Sequence, residues 1–530
     1  MMAPGFASLV TVSRKGLQRS GRLNRLRWVS VFLLGSVVCL ILAYCFLRME
    51  FKLQIDYNEG WNVFHGIEAV SGQPLYDGKR ILTPVNYPPL SFYIIGVIGE
   101  IAGNPLLSGR FVSFLSLILI AIFTGLVVRS LGGDGYESIF SGVLCLGFFC
   151  TFAQVYVGLD DPQLFGQTIM MGGLLLYLSR QGEKDGENVK RDLWIAFLFS
   201  FGMFVKHNLI PIPVAVSIGI LFQSHRRFIR LVAARSAFVV LFSIVSYLVF
   251  GSDFFAQLFT GRVYSADKPE YFLYHHFGMN MLIPILLVIP WIVRFLKEDR
   301  KRVIAVYLLL SLALGVYTLG GAGTDVNMLF DLYISTAISI GLVLSVLAAD
   351  MKGEKTTGTV FLEISYLIIP FLVASGIFWK APNAIPRHPR SFLVDQENLF
   401  LEEAEFLSSR SGPVLCESLL LCYFAKKPFL YDPFLVSEMV VTGKIKEEVI
   451  LKLFENKYYA IIQIDRPLPE TYTKEASSSK TKKEKVDDRF TKNMYIAIAN
   501  NYTLVRKIGR YYNYCPKEMV DETHGCPVVM

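Results

Sequence analysis

Residues 28–47 read WVSVFLLGSVVCLILAYCFL, and this stretch decides the fold class. About 20 consecutive apolar residues, at a rise of ~1.5 Å each, cover the ~30 Å hydrocarbon core of a bilayer as a helix. The residues before it carry Arg14, Lys15, Arg19, Arg22, Arg25 and Arg27 and no acid. The run is too long for the apolar core of a secretion signal, and no small-residue cleavage site comes after it. It therefore reads as a first membrane span whose basic end stays in the cytoplasm. The next stretch, FKLQIDYNEGWNVFHGIEAVSGQPLYDG (Phe51 to Gly78), emerges on the outer side.

The rest of the chain agrees with a multi-pass membrane protein. Of 530 residues, 53% are hydrophobic and only 18% charged, against ~25% in soluble domains. The net charge of +8 is no nucleic-acid signature, because Lys and Arg fall in short clusters between apolar segments. Spans are expected near 106–128, 137–156, 162–179, 193–205, 208–222, 231–250, 278–295, 303–319, 326–348 and 359–379, which with the first gives about 11. The segment Tyr87 to Gly103 is short, opens on Pro88-Pro89 and contains Glu100. Counting it as a span would put nearly every basic cluster outside, so it reads as a juxtamembrane or re-entrant element.

After residue 380 the composition changes. KAPNAIPRHPR is a Pro-rich linker (381–394). Residues 395–530 read as a small extracytoplasmic α/β domain with a flexible, low-complexity insert at 473–488. Its expected elements are a helix in NLFLEEAEFLSS, strands in PVLCE, KPFLY and YYAIIQID, a helix in GKIKEEVILKLFENK, and a hairpin from YTLVRKIG and YYNYCP. Cys39, Cys45, Cys145 and Cys150 fall in spans as packing residues. Cys416, Cys422, Cys515 and Cys526 fall in the outer domain, where an oxidising compartment permits two disulfides of undetermined pairing.

The polar residues that could do chemistry gather on the outer side. Asp56 and Glu59 are spaced to share one helix face, in a stretch that continues as an amphipathic helix with Trp61, Phe64 and Ile67 on one side. Asp160 and Asp161 stand before Pro162, where one of them caps a helix and the other is free. Lys206 lies deep in apolar surroundings beside His207, and a buried lysine is costly unless paired. A later loop carries Arg262 and the pair His275 and His276, whose adjacency makes no specific metal-ligand set. GGAGTDVNMLFDLY adds Asp325 and Asn327 at a span start and Asp331 inside the span. Carboxylates to take a proton, cations for a leaving phosphate and a floor for a lipid tail suit transfer of a group from a lipid phosphate to an outer acceptor.

Taken in order, DYNEGWNVFHGIEAVSGQPLYDG, NYPPLSFY, Arg110 at a span start, LDDPQLFGQ, FVKHN and GTDVNMLFDLY resemble the polyprenyl-phosphate-sugar-dependent glycosyltransferases of the GT-C fold. The likeness is to bacterial relatives of the aminoarabinose lipid A transferase and the protein O-mannosyltransferases (family 39, RgtA/B/C/D-like). It covers about 1–380 well and the terminal domain loosely. The family carries Asp-Glu directly before Gly in the first outer loop. Here Asn58-Glu59-Gly60 stands in that place with Asp56 upstream, so the base lies between Asp56 and Glu59, with Asp56 slightly favoured. The resemblance implies a second acid at Asp160 or Asp161, with His65 in acceptor or sugar binding. It implies donor-phosphate binding at Lys206, with Arg110 or Arg262 as helpers, and leaves Tyr87, His207, Asp325 and Asn327 as further candidates.

The implied protein is an integral glycosyltransferase of the bacterial inner membrane, with a cytoplasmic N-terminus and a periplasmic C-terminal domain. Its donor is a polyprenyl-phosphate sugar and its acceptor a glycolipid, polysaccharide or protein, reached by inverting single displacement. Phosphate is a good leaving group, so no cofactor or metal is required. No nucleotide-binding motif or nucleic-acid patch is visible. The alternative is a transporter or flippase of lipid-linked intermediates, but no internal repeat is visible and the polar groups cluster at one interface rather than the midplane.

Overall fold

The computed structural model describes residues 5–179, 189–274, 278–351, 357–468 and 489–519. Each of the eleven expected spans corresponds to a helix. In chain order they begin with α1 (Gly5–Met49), followed by the short α2 (Tyr57–Val70) and α3 (Leu90–Ala102). Then come α4 (Pro105–Ser130), α5 (Gly135–Phe152), α6 (Pro162–Leu178), α7 (Val189–Val205), α8 (Pro211–Leu221) and α9 (His225–Phe250). Two short helices, α10 (Asp253–Leu258) and α11 (Asp267–Phe272), lead to α12 (Gly278–Lys297), α13 (Asp299–Thr318), α14 (Phe330–Asp350) and α15 (Thr357–Lys380). Among the described residues, seven helices are long and apolar enough to cross a membrane. The helix α3 has 13 residues, roughly 20 Å of rise, too short for the ~30 Å core. The pair His275 and His276 and the insert 473–488 lie outside the described residues.

The bundle is centred on α14, which packs against α4, α5, α12, α13 and α15. Most of its polar side chains bond within the bundle, as a lipid environment favours. Asp331 accepts from Tyr307 Oη and Gln167 Nε2, each at 2.7 Å. These bonds tie α6, α13 and α14 together, so this acid is part of the packing. Peripheral α9 presents Val240, Ile244, Leu248 and their neighbours outward.

The C-terminal part opens with α16 (Pro389–Ser408) and holds a four-stranded sheet in the order β1-β2-β4-β3. β1 (Val414–Cys416) runs parallel to β2 (Ile461–Ile464), and β4 (Tyr511–Pro516) is antiparallel to both β2 and β3 (Tyr502–Ile508). KPFLY is not a strand. It runs as irregular chain between α17 (Leu419–Phe424) and α18 (Pro433–Val441), because Asp432 and Pro433 start a helix there by cap and fixed φ. The remaining helices are α19 (Glu447–Glu455) and α20 (Lys492–Asn501). Cys416 and Cys422 form a disulfide, and Cys515 is disulfide-bonded as well.

The short α2 joins bundle and domain. It does not lie open on an interface: Trp61 is buried, and Phe64 and Ile67 pack against the domain's core. Gly60 makes this possible, since a Cβ there would stand 2.3 Å from the backbone nitrogen of Leu420. Gln54 locks the same contact, donating to Ser418 Oγ and accepting from Leu420 N.

Candidate active site

Asp56 is the N-cap of α2. Its Oδ1 accepts from Asn58 N at 3.1 Å, which leaves its other oxygen without a hydrogen bond among the described residues. It stands on the wall of a cavity of about 250 Å³ lined by Tyr57, Asn58 and Trp61 of α2, then Asn86, Tyr87, Tyr156, Arg262, Thr324 and Asp325, and Asp432, Phe434 and Arg489 of the C-terminal domain. Burial raises the pKa of Asp56 to about 6; the charges of Asp325 and Glu59 push the same way, while the Asn58 N–H and Arg489 oppose it. A carboxylate with one free oxygen and a pKa near 6 is placed to accept a proton at neutral pH.

Glu59 sits one turn further on with a different environment. It is fully buried, and Arg110 grips it by Nε to Oε1 at 2.7 Å and Nη2 to Oε2 at 2.8 Å. Ile55 N also donates to Oε2. The remaining donors of Arg110 hold the carbonyls of Met49, Phe51 and Leu53 at 2.6–3.0 Å. All five guanidinium N–H groups are thus engaged. Glu59 and Arg110 form a latch that fixes the exit of α1 and the start of α2, and neither lines the cavity.

The other candidates form a layer behind the wall. Asp161 caps α6, accepting from Gln163 N at 2.8 Å, and its second oxygen lies 3.5 Å from Lys206 Nζ. That ammonium is buried, makes no hydrogen bond among the described residues beyond this long ion pair, and lies 3.5 Å from the centroid of the Tyr87 ring. Tyr87 therefore separates Lys206 from the cavity. Asp160 is buried against Gly109 with both carboxylate oxygens unpartnered among the described residues. Burial drives its pKa well above the usual range, and the charges of Glu59 and Asp161 push the same way. His65 bonds Glu68 through Nδ1 at 2.9 Å and is walled in by Trp61, Phe92 and Phe429. His207 meets the Tyr87 ring edge-on. Asn327 accepts from Asp325 N at 3.2 Å and so shapes the loop that presents Asp325.

Of the sequence candidates, the cavity thus brings together Asp56, Tyr87, Arg262 and Asp325. Glu59, Arg110, Asp160, Asp161, Lys206, His65, His207 and Asn327 support it from behind. Sequence reasoning missed the wall built by the C-terminal domain. Asp432 is fully buried; its Oδ1 accepts from Tyr57 Oη at 2.7 Å and Leu435 N at 2.9 Å. Arg489 stacks on Tyr57, its Cζ 3.8 Å from the ring centroid. The signal available in sequence was Asp432-Pro433, a cap pair like Asp161-Pro162; nothing local marks Arg489.

Comparison with known proteins gives the fold. Residues 86–250 match the family described as dolichyl-phosphate-mannose-protein mannosyltransferase. No curated protein matches the chain. Among solved structures, ArnT from Cupriavidus metallidurans bound to undecaprenyl phosphate superposes with a TM-score of 0.57 at 12% identity, over 90% of this chain and 97% of that one. Its apo state gives 0.57 at 13%, over 92% and 98%. An Archaeoglobus fulgidus oligosaccharyltransferase tethered to an acceptor peptide gives 0.53 at 11%, over 92% and 74%. The chain is a multi-pass membrane protein of the GT-C glycosyltransferase fold, as its motif order implied.

Proposed function

We propose that this protein transfers a sugar from a polyprenyl-phosphate donor to an acceptor on the periplasmic face of the bacterial inner membrane. The reaction is an inverting single displacement. Asp56 takes the acceptor hydroxyl's proton as that oxygen attacks the anomeric carbon, and the lipid phosphate leaves with the electron pair of the broken glycosidic bond. Arg262 offers the leaving phosphate positive charge from the cavity wall. Lys206 adds to that field through the Tyr87 ring rather than by contact. Asp325, across the cavity, binds sugar hydroxyls.

The observation that carries this reading is the half-free carboxylate of Asp56 in a cavity that also holds Arg262 and Asp325. The match to a family described by a lipid-phosphate sugar donor, and a fold relative bound to undecaprenyl phosphate, support the donor class. A positioned base contributes ~10²–10⁴-fold.

The test is release of polyprenyl phosphate from a panel of polyprenyl-phosphate sugars by the full chain in nanodiscs. Asp56→Asn should lower turnover by at least ~100-fold while donor still binds. Lipid translocation with no release from any donor, and no effect of Asp56→Asn, would favour a transporter instead.

A further inference from the structure

Two buried arginines of this chain are held by ion pairs. Arg110 uses every donor, and Arg227 pairs with Asp192 through both Nε and Nη2. Arg489, half-buried on the cavity wall, is held differently. It makes no hydrogen bond or ion pair among the described residues, although it lines a site that contains carboxylates. Its guanidinium lies over Tyr57 at 3.8 Å and near Phe434 at 5.2 Å from the ring centroids. Stacking holds the guanidinium by its face and leaves the in-plane N–H donors for partners at its edge.

The platform beneath it is fixed. Tyr57 Oη donates to Asp432 Oδ1 at 2.7 Å and lies 3.4 Å from Phe434 N. Asp432 Oδ1 thus holds Tyr57 and the start of α18; its Oδ2 has no hydrogen-bond partner among the described residues, and Arg489 acts on it through charge rather than a bond. A pre-positioned, planar set of free donors matches an oxyanion bidentately. A neutral sugar would not need it.

We propose that Arg489, brought to the cavity by the C-terminal domain, receives an oxyanion of the substrate, phosphate or carboxylate, and so makes that domain part of the substrate site. This rests on the transfer reading above. The oxyanion comes either from the donor's phosphate or from an anionic acceptor.

The experiment compares wild type, Arg489→Gln and Arg489→Lys as full chains in nanodiscs. One arm measures Kd for undecaprenyl phosphate against undecaprenol. The other measures Kd for glucose 6-phosphate and glucuronate against glucose, on protein loaded with undecaprenyl phosphate. Arg489→Gln should weaken an anion by at least ~10-fold in one arm, leaving the neutral comparator unchanged. Arg489→Lys keeps the charge without the fork and should recover part of the loss. Loss in the first arm assigns the donor phosphate; loss in the second assigns the acceptor. Wild-type binding of undecaprenyl phosphate, with every anion Kd within twofold in both variants, would overturn the proposal and leave the transfer reading standing. A wild type that does not bind undecaprenyl phosphate at all would sink both.

Discussion

Arg110→Gln separates a scaffolding arginine from a substrate-binding one. In the structure the substitution removes five hydrogen bonds at once: two to Glu59 and one each to the carbonyls of Met49, Phe51 and Leu53. Glu59 keeps only the Ile55 N–H and stays fully buried. Removing one partner of a buried ion pair costs about 3–5 kcal/mol, because the remaining charge is left uncompensated. That is a large share of the ~5–15 kcal/mol by which folded proteins are stable. At about 2.1 cal/mol/K of unfolding entropy per residue, a 530-residue chain shifts by about 1 °C per kcal/mol, so the expected drop in Tm is roughly 3–5 °C. Glu59→Gln should cost less, since Arg110 keeps its three carbonyls. The double variant should fall short of the sum by about 1–3 kcal/mol, the coupling of residues in direct contact. The assay is heating of detergent-purified protein and then size-exclusion recovery, alongside undecaprenyl phosphate binding normalised to folded protein. An unchanged Tm for Arg110→Gln with a tenfold weaker Kd for undecaprenyl phosphate would refute the latch and make Arg110 a donor ligand.

The same geometry sets two other outcomes. Because burial raises Asp56 to about 6, turnover should fall with an apparent pKa near 6 as pH drops, when the base becomes protonated. The folded pKa lies above the unfolded one, so the ionised acid is a stability cost at pH 7.5 that declines as pH falls through about 6 and is gone only below the unfolded value of about 4. Asp56→Asn should therefore raise Tm at pH 7.5, and that gain should shrink as pH falls from about 6 to about 4; a gain that grows on acidification would contradict the burial argument. Gly60→Ala should lower Tm, and turnover with it, because its Cβ would meet Leu419 and Leu420 backbone at 2.3–2.6 Å; a variant as stable as wild type would show that the α2–α17 seat gives way freely.

How much of this was legible in the sequence depends on the range of the interaction. Apolar runs and basic clusters report on a bilayer a few residues at a time, so the eleven helices and the short α3 could be read directly. KPFLY failed because a strand needs a neighbour, and the Asp432-Pro433 cap just beyond it took the chain into α18 instead. Within the site, local signals gave identity but not role. Asp161 before Pro162 reads as a cap and is one; Asp160 beside it looks equivalent, but both its carboxylate oxygens are buried and unpartnered among the described residues.

Asp56 and Glu59 show where the limit lies. Both acids stand in one motif, three positions apart, and sequence alone leaves the base between them. The difference is made 51 residues from Glu59, where α4 carries Arg110 into hydrogen-bonding contact with it. Once Glu59 is neutralised and buried, it cannot approach an acceptor without breaking the latch that shapes its own loop. Asp56 is held by a single backbone N–H at the mouth of α2, and faces the cavity. Another part of the cavity wall comes from a domain more than 370 residues later, through Asp432 on Tyr57. A proton acceptor is thus chosen by which carboxylate the fold leaves unspent, a property of the tertiary contacts and not of the motif that contains both.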